Sequence, residues 1–314
     1  MTQIPELLVA RELSRVGSDA RRLRPDRSKG RHRRLAPGVF VEARAFGELP
    51  DRDQHLLKAR AIVRTRGEEA VLALHSAAAV WGLPLLSRSP PQVHLLGAPG
   101  VADGVDTIRH RERIRDGDVV EHDGHLVTSL ERTVLDLARL ASREDAISAI
   151  DHSLRKPLGG LAQGDLLERI EDFRGYRGVK QARQLIALGD GAAESTGESV
   201  SRLRMSDCGV PTPVLQSTFR DHRGFVGRVD FDWPGCEAVG EFDGLGKYRD
   251  PRLLAGADPA DAVIREKLRE DRLRALGLRV IRWTFADLHG LHTLCALLGS
   301  AGLPPTHTGV AASR

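Results

Sequence analysis

Residues 224–284 carry the pattern that most narrows the folds open to this chain. GFVGRVDFDW (224–233) and CEAVGEFDG (236–244) alternate apolar and polar residues at a period of two, and Pro234-Gly235 stands between them. That spacing predicts two antiparallel strands joined by a tight turn. DAVIREKLREDRLRALG (261–277) then repeats apolar residues at helical spacing and stops at Gly277, which suits a helix C′ position. LRVIRWT (278–284) returns to strand character. Upstream, GESVSRLRMSDCGV (197–210) reads as a helix, PTP (211–213) as a break and VLQSTFR (214–220) as a strand. The order α-β-β-β-α-β is that of an α/β module.

Four acids, Asp230, Asp232, Glu241 and Asp243, flank the turn of this hairpin. With a two-residue Pro-Gly loop, or a four-residue loop Trp233–Cys236, Asp232 faces Glu237 and Asp230 faces Val239. Arg228, Asp230 and Asp232 then share a polar face with Glu237, Val239 and Glu241, while Val229, Phe231, Ala238, Gly240 and Phe242 share the core face. Asp230 and Glu241 become diagonal neighbours. Two readings fit. One is a solvated strand face of mixed charge, the simpler on spacing alone. The other is a site for Mg²⁺ or Mn²⁺, because hard oxygen ligands at this separation suit such ions and the metal can activate water at a phosphate. Glu198 on the preceding helix could add a carboxylate, and Lys247 or Lys267 a cation. Arg265, Arg269, Arg272 and Arg274 alternate with Glu266, Glu270 and Asp271, which reads as a salt-bridged solvent face rather than a phosphate contact.

The N-terminal part has another character. PELLVARELSRVGSDARRLR (5–24) reads as two short helices broken at Gly17, and KGRHRRLAPGVFVEA (29–43) as a hairpin turning at Pro37-Gly38. Helix, turn, helix and β-wing is the order of a winged helix-turn-helix. Arg21, Arg22, Arg24, Arg27, Lys29, Arg31, Arg33 and Arg34 concentrate there, against only Glu12, Asp19 and Asp26 between residues 11 and 34. Cations so placed can meet phosphates from a recognition helix and a wing, so double-stranded DNA is the expected partner. Pro25 limits the length of any recognition helix.

Between these parts lies a mixed stretch. Residues 51–66 and 68–86 read as helices, 93–97, 106–111 and 118–129 as strands with a hairpin at Asp123-Gly124, and 129–140 and 143–155 as helices. At 314 residues two or three domains are expected, and 41% hydrophobic against 29% charged residues suffices for packed cores. The net charge of +4 is small, so its local distribution matters more than its sum. The expected organisation is a winged helix over 1–48, a mixed α/β domain over 49–188, an α/β domain over 189–300 and a flexible tail over 301–314.

Two resemblances follow from these words. Residues 194–290 resemble the endonuclease-like domains related to very-short-patch-repair enzymes, in the PD-(D/E)XK superfamily, through ESTGES, GRVDFDW, GEFDG..KY and EKLREDRLRALGLRVIRWT. That resemblance implies a restriction-endonuclease-like fold and metal-dependent DNA cleavage. Glu198, Asp230 and Glu241 would be ligands of Mg²⁺ or Mn²⁺, and Lys247 the cation near the attacking water. Asp243 stands where the superfamily pattern carries its lysine, a departure that bears on catalysis. Residues 5–155 resemble AbiEi-type antitoxins of type IV toxin–antitoxin systems, through LAPGVFV, LHSAAAVWGLPL, VTSLERTVLDLA and IDHSLRK. This implies a winged helix on operator DNA and a nucleotidyltransferase-like toxin as partner. The alternative to a nuclease is therefore a non-enzymatic antitoxin and transcriptional regulator that keeps a nuclease fold only for binding.

Several other features point to structure rather than chemistry. Cys208, Cys236 and Cys295 are far apart without a CxxC pair, which predicts neither a structural zinc site nor a disulfide framework. His75-Ser76 reads as packing, and His110, His122 and His125 match no ligand spacing. GVADG and GDGAAESTG lack the phosphate-loop pattern. No stretch reaches the roughly 18 apolar residues of a membrane span, so a cytoplasmic protein is expected.

Overall fold

The computed structural model describes residues 4–15, 31–66, 70–97, 104–156, 160–244 and 259–303. The chain divides into two compact units, Met1–Ser153 with Leu161–Ala187, and Leu154–Gly160 with Leu188–Arg314. Both are mixed α/β.

The first unit opens with β1 (Leu8–Val9) and α1 (Ala10–Arg15). Leu8 and Val9 pair antiparallel with Phe40 and Val39, so part of the first helix expected within 5–24 is a strand. β2 (His32–Ala36) and β3 (Val39–Glu42) form the expected hairpin. α2 (Ala43–Gly47) follows at once, because the Glu42 carboxylate accepts from the Arg44 and Ala45 N–H groups and caps its open end. α3 (Asp51–Arg66) packs Leu57, Ala61 and Ile62 onto Leu35, Val39 and Val41 of the hairpin. The expected second helix at 18–24 lies outside the described residues.

The Ala-rich stretch 68–86 is helical only over α4 (Leu74–Trp81). Leu72 instead bridges two strand pairs, antiparallel to Leu95 and parallel to Val127. It joins β4 (Val93–Leu96) and β5 (Thr107–His110), a parallel pair, to the antiparallel hairpin β6 (Val119–His122) and β7 (His125–Thr128). Asp123 and Gly124 turn that hairpin with φ of 50° and 71°, as a type I′ turn requires. α5 (Leu130–Leu140), α6 (Arg143–Leu154), α7 (Gln163–Arg169) and α8 (Val179–Leu188) follow. Ser129 caps α5 through its hydroxyl, which accepts from the Arg132 N–H.

The second unit contains a four-stranded sheet in the order β11 (Arg279–Trp283), β10 (Ala238–Phe242), β9 (Gly224–Trp233) and β8 (Val214–Asp221). α9 (Thr196–Cys208) precedes β8, β9 and β10. α10 (Pro259–Ala275) leads to β11, which lies parallel to β10, and α11 (Phe285–Leu288) and α12 (Leu291–Ser300) follow. Both sheet faces are covered. Phe231, Trp233, Ala238, Phe242, Ile281 and Trp283 pack with Val200 of α9 and Leu294 and Leu298 of α12. Val226, Val229 and Val239 pack with Leu273 of α10. The acidic face is thus not a solvated one: Asp232, Val239 and Glu241 are buried. Leu303 is also fully buried in the first of these cores, so the fold runs beyond residue 300 before the described residues end.

The register differs from the expected one. Trp233 pairs with Ala238, Asp232 with Val239 and Phe231 with Gly240, around a connection of residues 234–237 in which Glu237 takes φ 51°. This brings Asp230 level with Glu241. The strict alternation of β9 also slips near Asp230, because Val229 joins the α10-side core whereas Phe231 joins the other. Opposite this point Gln216 of β8 has φ 57°. Cys208 and Cys295 form a disulfide between the end of α9 and α12, with Cα atoms 5.4 Å apart. The expectation of no disulfide is corrected: the partners are far apart in sequence and meet only through the packing of two helices.

Candidate functional site

The carboxylates of the second unit fall into two groups. Glu198, in the first turn of α9, is buried, and its oxygens accept from the Glu194 N–H (2.8 Å), the Ser195 hydroxyl (2.7 Å) and Gln216 Nε2 (2.9 Å). Burial raises its pKa, its hydrogen bonds oppose that, and the nearby charge of Asp230 adds to the rise. Asp230 Oδ2 accepts from the Phe242 N–H at 2.9 Å. Gly197 beside Glu198 leaves room for the Phe242 ring; a Cβ there would stand 2.0 Å from it.

Glu241 belongs to the second group. It is buried under α10, and its two oxygens meet two guanidinium groups, Arg269 Nη2 at 2.5 Å and Arg282 Nη2 at 2.6 Å. Burial raises its pKa, and Arg269 and Arg282 pull it the other way. Glu266 accepts from Arg269 at 2.6 and 2.9 Å and also pairs with Arg282. Arg282 further reaches Glu270 at 3.3 Å and Asp243 at 3.4 Å. Arg269 thus turns inward, against the expectation that the α10 arginines form only a solvent face. Lys267 is exposed, while Lys247 lies outside the described residues.

A divalent ion needs several free oxygen ligands converging on one point. Glu198 already accepts from three donors, Asp230 binds a backbone N–H, and Glu241 is enclosed by two cations. Among the described residues no group of three or more His, Cys, Asp or Glu side chains is placed to hold a metal ion. As arranged, these three side chains do not fit Mg²⁺ or Mn²⁺.

The basic N-terminal segment is described only in part. Arg31, Arg33 and Arg34 are exposed on or beside β2. The Arg33 guanidinium lies 4.6 Å from the centre of the Phe46 ring, which orients it without neutralising it. Arg34 Nε donates to the Ala36 carbonyl at 3.4 Å. Arg21, Arg22, Arg24, Arg27 and Lys29 lie outside the described residues. No helix among the described residues is long and apolar enough to cross a membrane.

The rest of the first unit is organised by buried polar groups. Arg132, 1% exposed, donates to Asp136 (2.9 Å), Asp118 (2.7 Å) and Glu112 (3.1 Å). Arg139 binds both oxygens of Glu112 at 2.7 Å, and Arg169 reaches Asp118 at 2.6 Å. The Phe173 ring stacks under Arg132 and Arg139. Ser76, fully buried, bonds His55 Nε2 at 2.8 Å and accepts from the His94 N–H at 2.9 Å.

Residues 70–188 match the AbiEi antitoxin C-terminal domain. Two Mycobacterium tuberculosis proteins from different strains, both named as uncharacterized, are each 32% identical over 218 residues, covering 68% of this chain and 74% of theirs. The chain belongs to the same family as these mycobacterial proteins. Within its AbiEi-type domain, Thr133 bonds Thr128 at 2.7 Å and Asp136 anchors Arg132, so the helix words VTSLERTVLDLA encode a core. The sequence reading missed the Arg132–Arg139–Glu112 network of this domain. The available signal was the spacing of Arg132, Asp136 and Arg139, which puts all three on one helix face. Arg269 was expected on a salt-bridged solvent face, although its position beside the inward Leu273 on the helix could have marked it as turned toward the sheet.

Proposed function

We propose that this protein is an antitoxin-type, DNA-binding regulator, whose AbiEi-type domain serves a toxin–antitoxin system. The match of residues 70–188 to the AbiEi antitoxin C-terminal domain carries this reading. The wing with exposed Arg31, Arg33 and Arg34 supports it on the nucleic-acid side, because unneutralised guanidinium groups on a hairpin can release counterions from a duplex. A nucleotidyltransferase-like toxin is the proposed protein partner. The test is a salt titration of duplex DNA binding by the full chain, wild type against an Arg31→Ala, Arg33→Ala, Arg34→Ala variant. Each lost phosphate contact should lower the salt slope by about 1. An unchanged slope rejects the wing as a DNA contact.

The second reading is a Mg²⁺- or Mn²⁺-dependent nuclease using Glu198, Asp230, Glu241 and Lys247, with Asp243 at the lysine position. In its favour stand the α-β-β-β-α-β order and the levelling of Asp230 with Glu241 across β9 and β10. Against it stand the two guanidinium groups on Glu241. Plasmid cleavage with each metal, wild type against Asp230→Ala and Glu241→Ala, separates the readings.

A further inference from the structure

The arginines on Glu241 occupy a built position. Arg269 passes over Gly227 of β9, where a Cβ would come within 3.0 Å of its Cδ, so the sheet is cut away along the path of this side chain. Glu266 on the same helix accepts from its Nε and Nη2 and holds the guanidinium flat. Arg282 sits beside Glu241 on the parallel neighbour strand and is shared among Glu241, Glu266, Glu270 and Asp243. Two positive charges therefore converge on one buried carboxylate from two elements, each fixed by further acids.

We propose that Arg269 and Arg282 act as a built-in cation at Glu241, a pair of guanidinium groups standing where carboxylates of this kind would otherwise gather a divalent ion. The charge that a metal would bring is supplied by the chain itself. It joins the middle of α10 to the C-terminal ends of β10 and β11, independent of metal supply. The corollary is a latent cation site. Removing the guanidinium groups frees Glu241 and Glu266, leaves Asp243 without its Arg282 contact and Glu270 with Arg274 alone, and so leaves a surplus of negative charge. This goes beyond the regulator reading and does not depend on it.

The experiment uses the full chain and Mn²⁺ alone as probe, with binding followed by electron paramagnetic resonance and unfolding by thermal melts. Wild type and Glu241→Gln should bind Mn²⁺ equally weakly, and chelator should leave the wild-type melt unmoved. The Arg269→Gln/Arg282→Gln variant should bind Mn²⁺ about tenfold more tightly or better and be stabilised by it. Adding Glu241→Gln to that variant should abolish the gain. Wild-type binding that is lost in Glu241→Gln overturns the proposal. So does a folded double variant that gains no affinity. Should the double variant fail to fold without metal, refolding by Mn²⁺ supports the proposal and failure to refold counts against it, while the wild-type comparison stands unaffected.

Discussion

Arg282 on β11 lies beside Glu241 on β10, with its Nη2 2.6 Å from Glu241 Oε2. Removing one partner of a buried pair leaves the other charged and desolvated, which costs more than the pair contributes. Arg282→Ala should therefore destabilise the second unit by ~3 kcal/mol, the low end for a buried pair because the side chain is 26% exposed. Urea unfolding measures it. A loss below ~1 kcal/mol would show the contact to be weak, like a surface pair.

In the AbiEi-type domain Arg132 faces a harsher environment, with three acids and a side chain 1% exposed. Arg132→Met roughly keeps volume but removes the cation shared by three buried acids, leaving Asp118 to Arg169 and both Asp136 and Glu112 to Arg139. We expect a loss of ~3–5 kcal/mol. A double-mutant cycle with Asp136→Asn should show non-additivity, since both belong to one network. Simple additivity would mean that the network is not coupled.

Acid should weaken the same domain through its histidines. Burial lowers His55 to about 4 and His94 to about 3, aided respectively by the charges of His75 and Lys58, and of His110, His75 and His55. The unfolded chain takes up these protons near pH 6.5, the folded one only well below. Stability is thus full above pH 6.5 and falls as pH drops toward 4. Asp136, raised to about 6 by burial, works in the opposite sense over 3.8 to 6, one group against two. Denaturation midpoints at pH 7 and pH 5 should show the loss, and His94→Gln should flatten it. A midpoint that rises between pH 7 and pH 5 would contradict the assignment.

Gly197 offers a test of packing. A Gly-to-Ala change inside a helix ordinarily stabilises by up to ~1 kcal/mol. Here the new Cβ would meet the Phe242 ring at 2.0 Å, so the sign should reverse, with a loss of ~1–3 kcal/mol. Pairing it with Phe242→Leu should recover part of that loss.

Local periodicity made much of the fold legible. The hairpin over 32–42, the helix over 51–66 and the strands and helices of the second unit follow from their spacing. The stretch 68–86 did not, because alanines and leucines pack equally well into a helix or a buried bridge, and Leu72 is taken by the sheet. The β9–β10 register moved by two residues because Glu237 adopts a left-handed conformation that no sequence pattern marked. Asp230 and Glu241 were visible as a pair of acids. Their partners were not, since Asp230 takes the Phe242 main-chain N–H, and Arg269 and Arg282 on Glu241 come from a helix and another strand. Ion pairs across 28 residues of sequence, as for Arg269 and Glu241, leave no local trace.

The disulfide has a topological consequence. Cys208 and Cys295 are separated by 87 positions, and every strand of the four-stranded sheet lies between them. The sheet is therefore enclosed in a covalent ring. A protease that cuts once inside the ring produces no separable fragments until a reductant opens it. The halves of the sheet stay tethered and can re-pair in place. An unreduced gel of the nicked protein should run as one band, and a reduced gel as two or more.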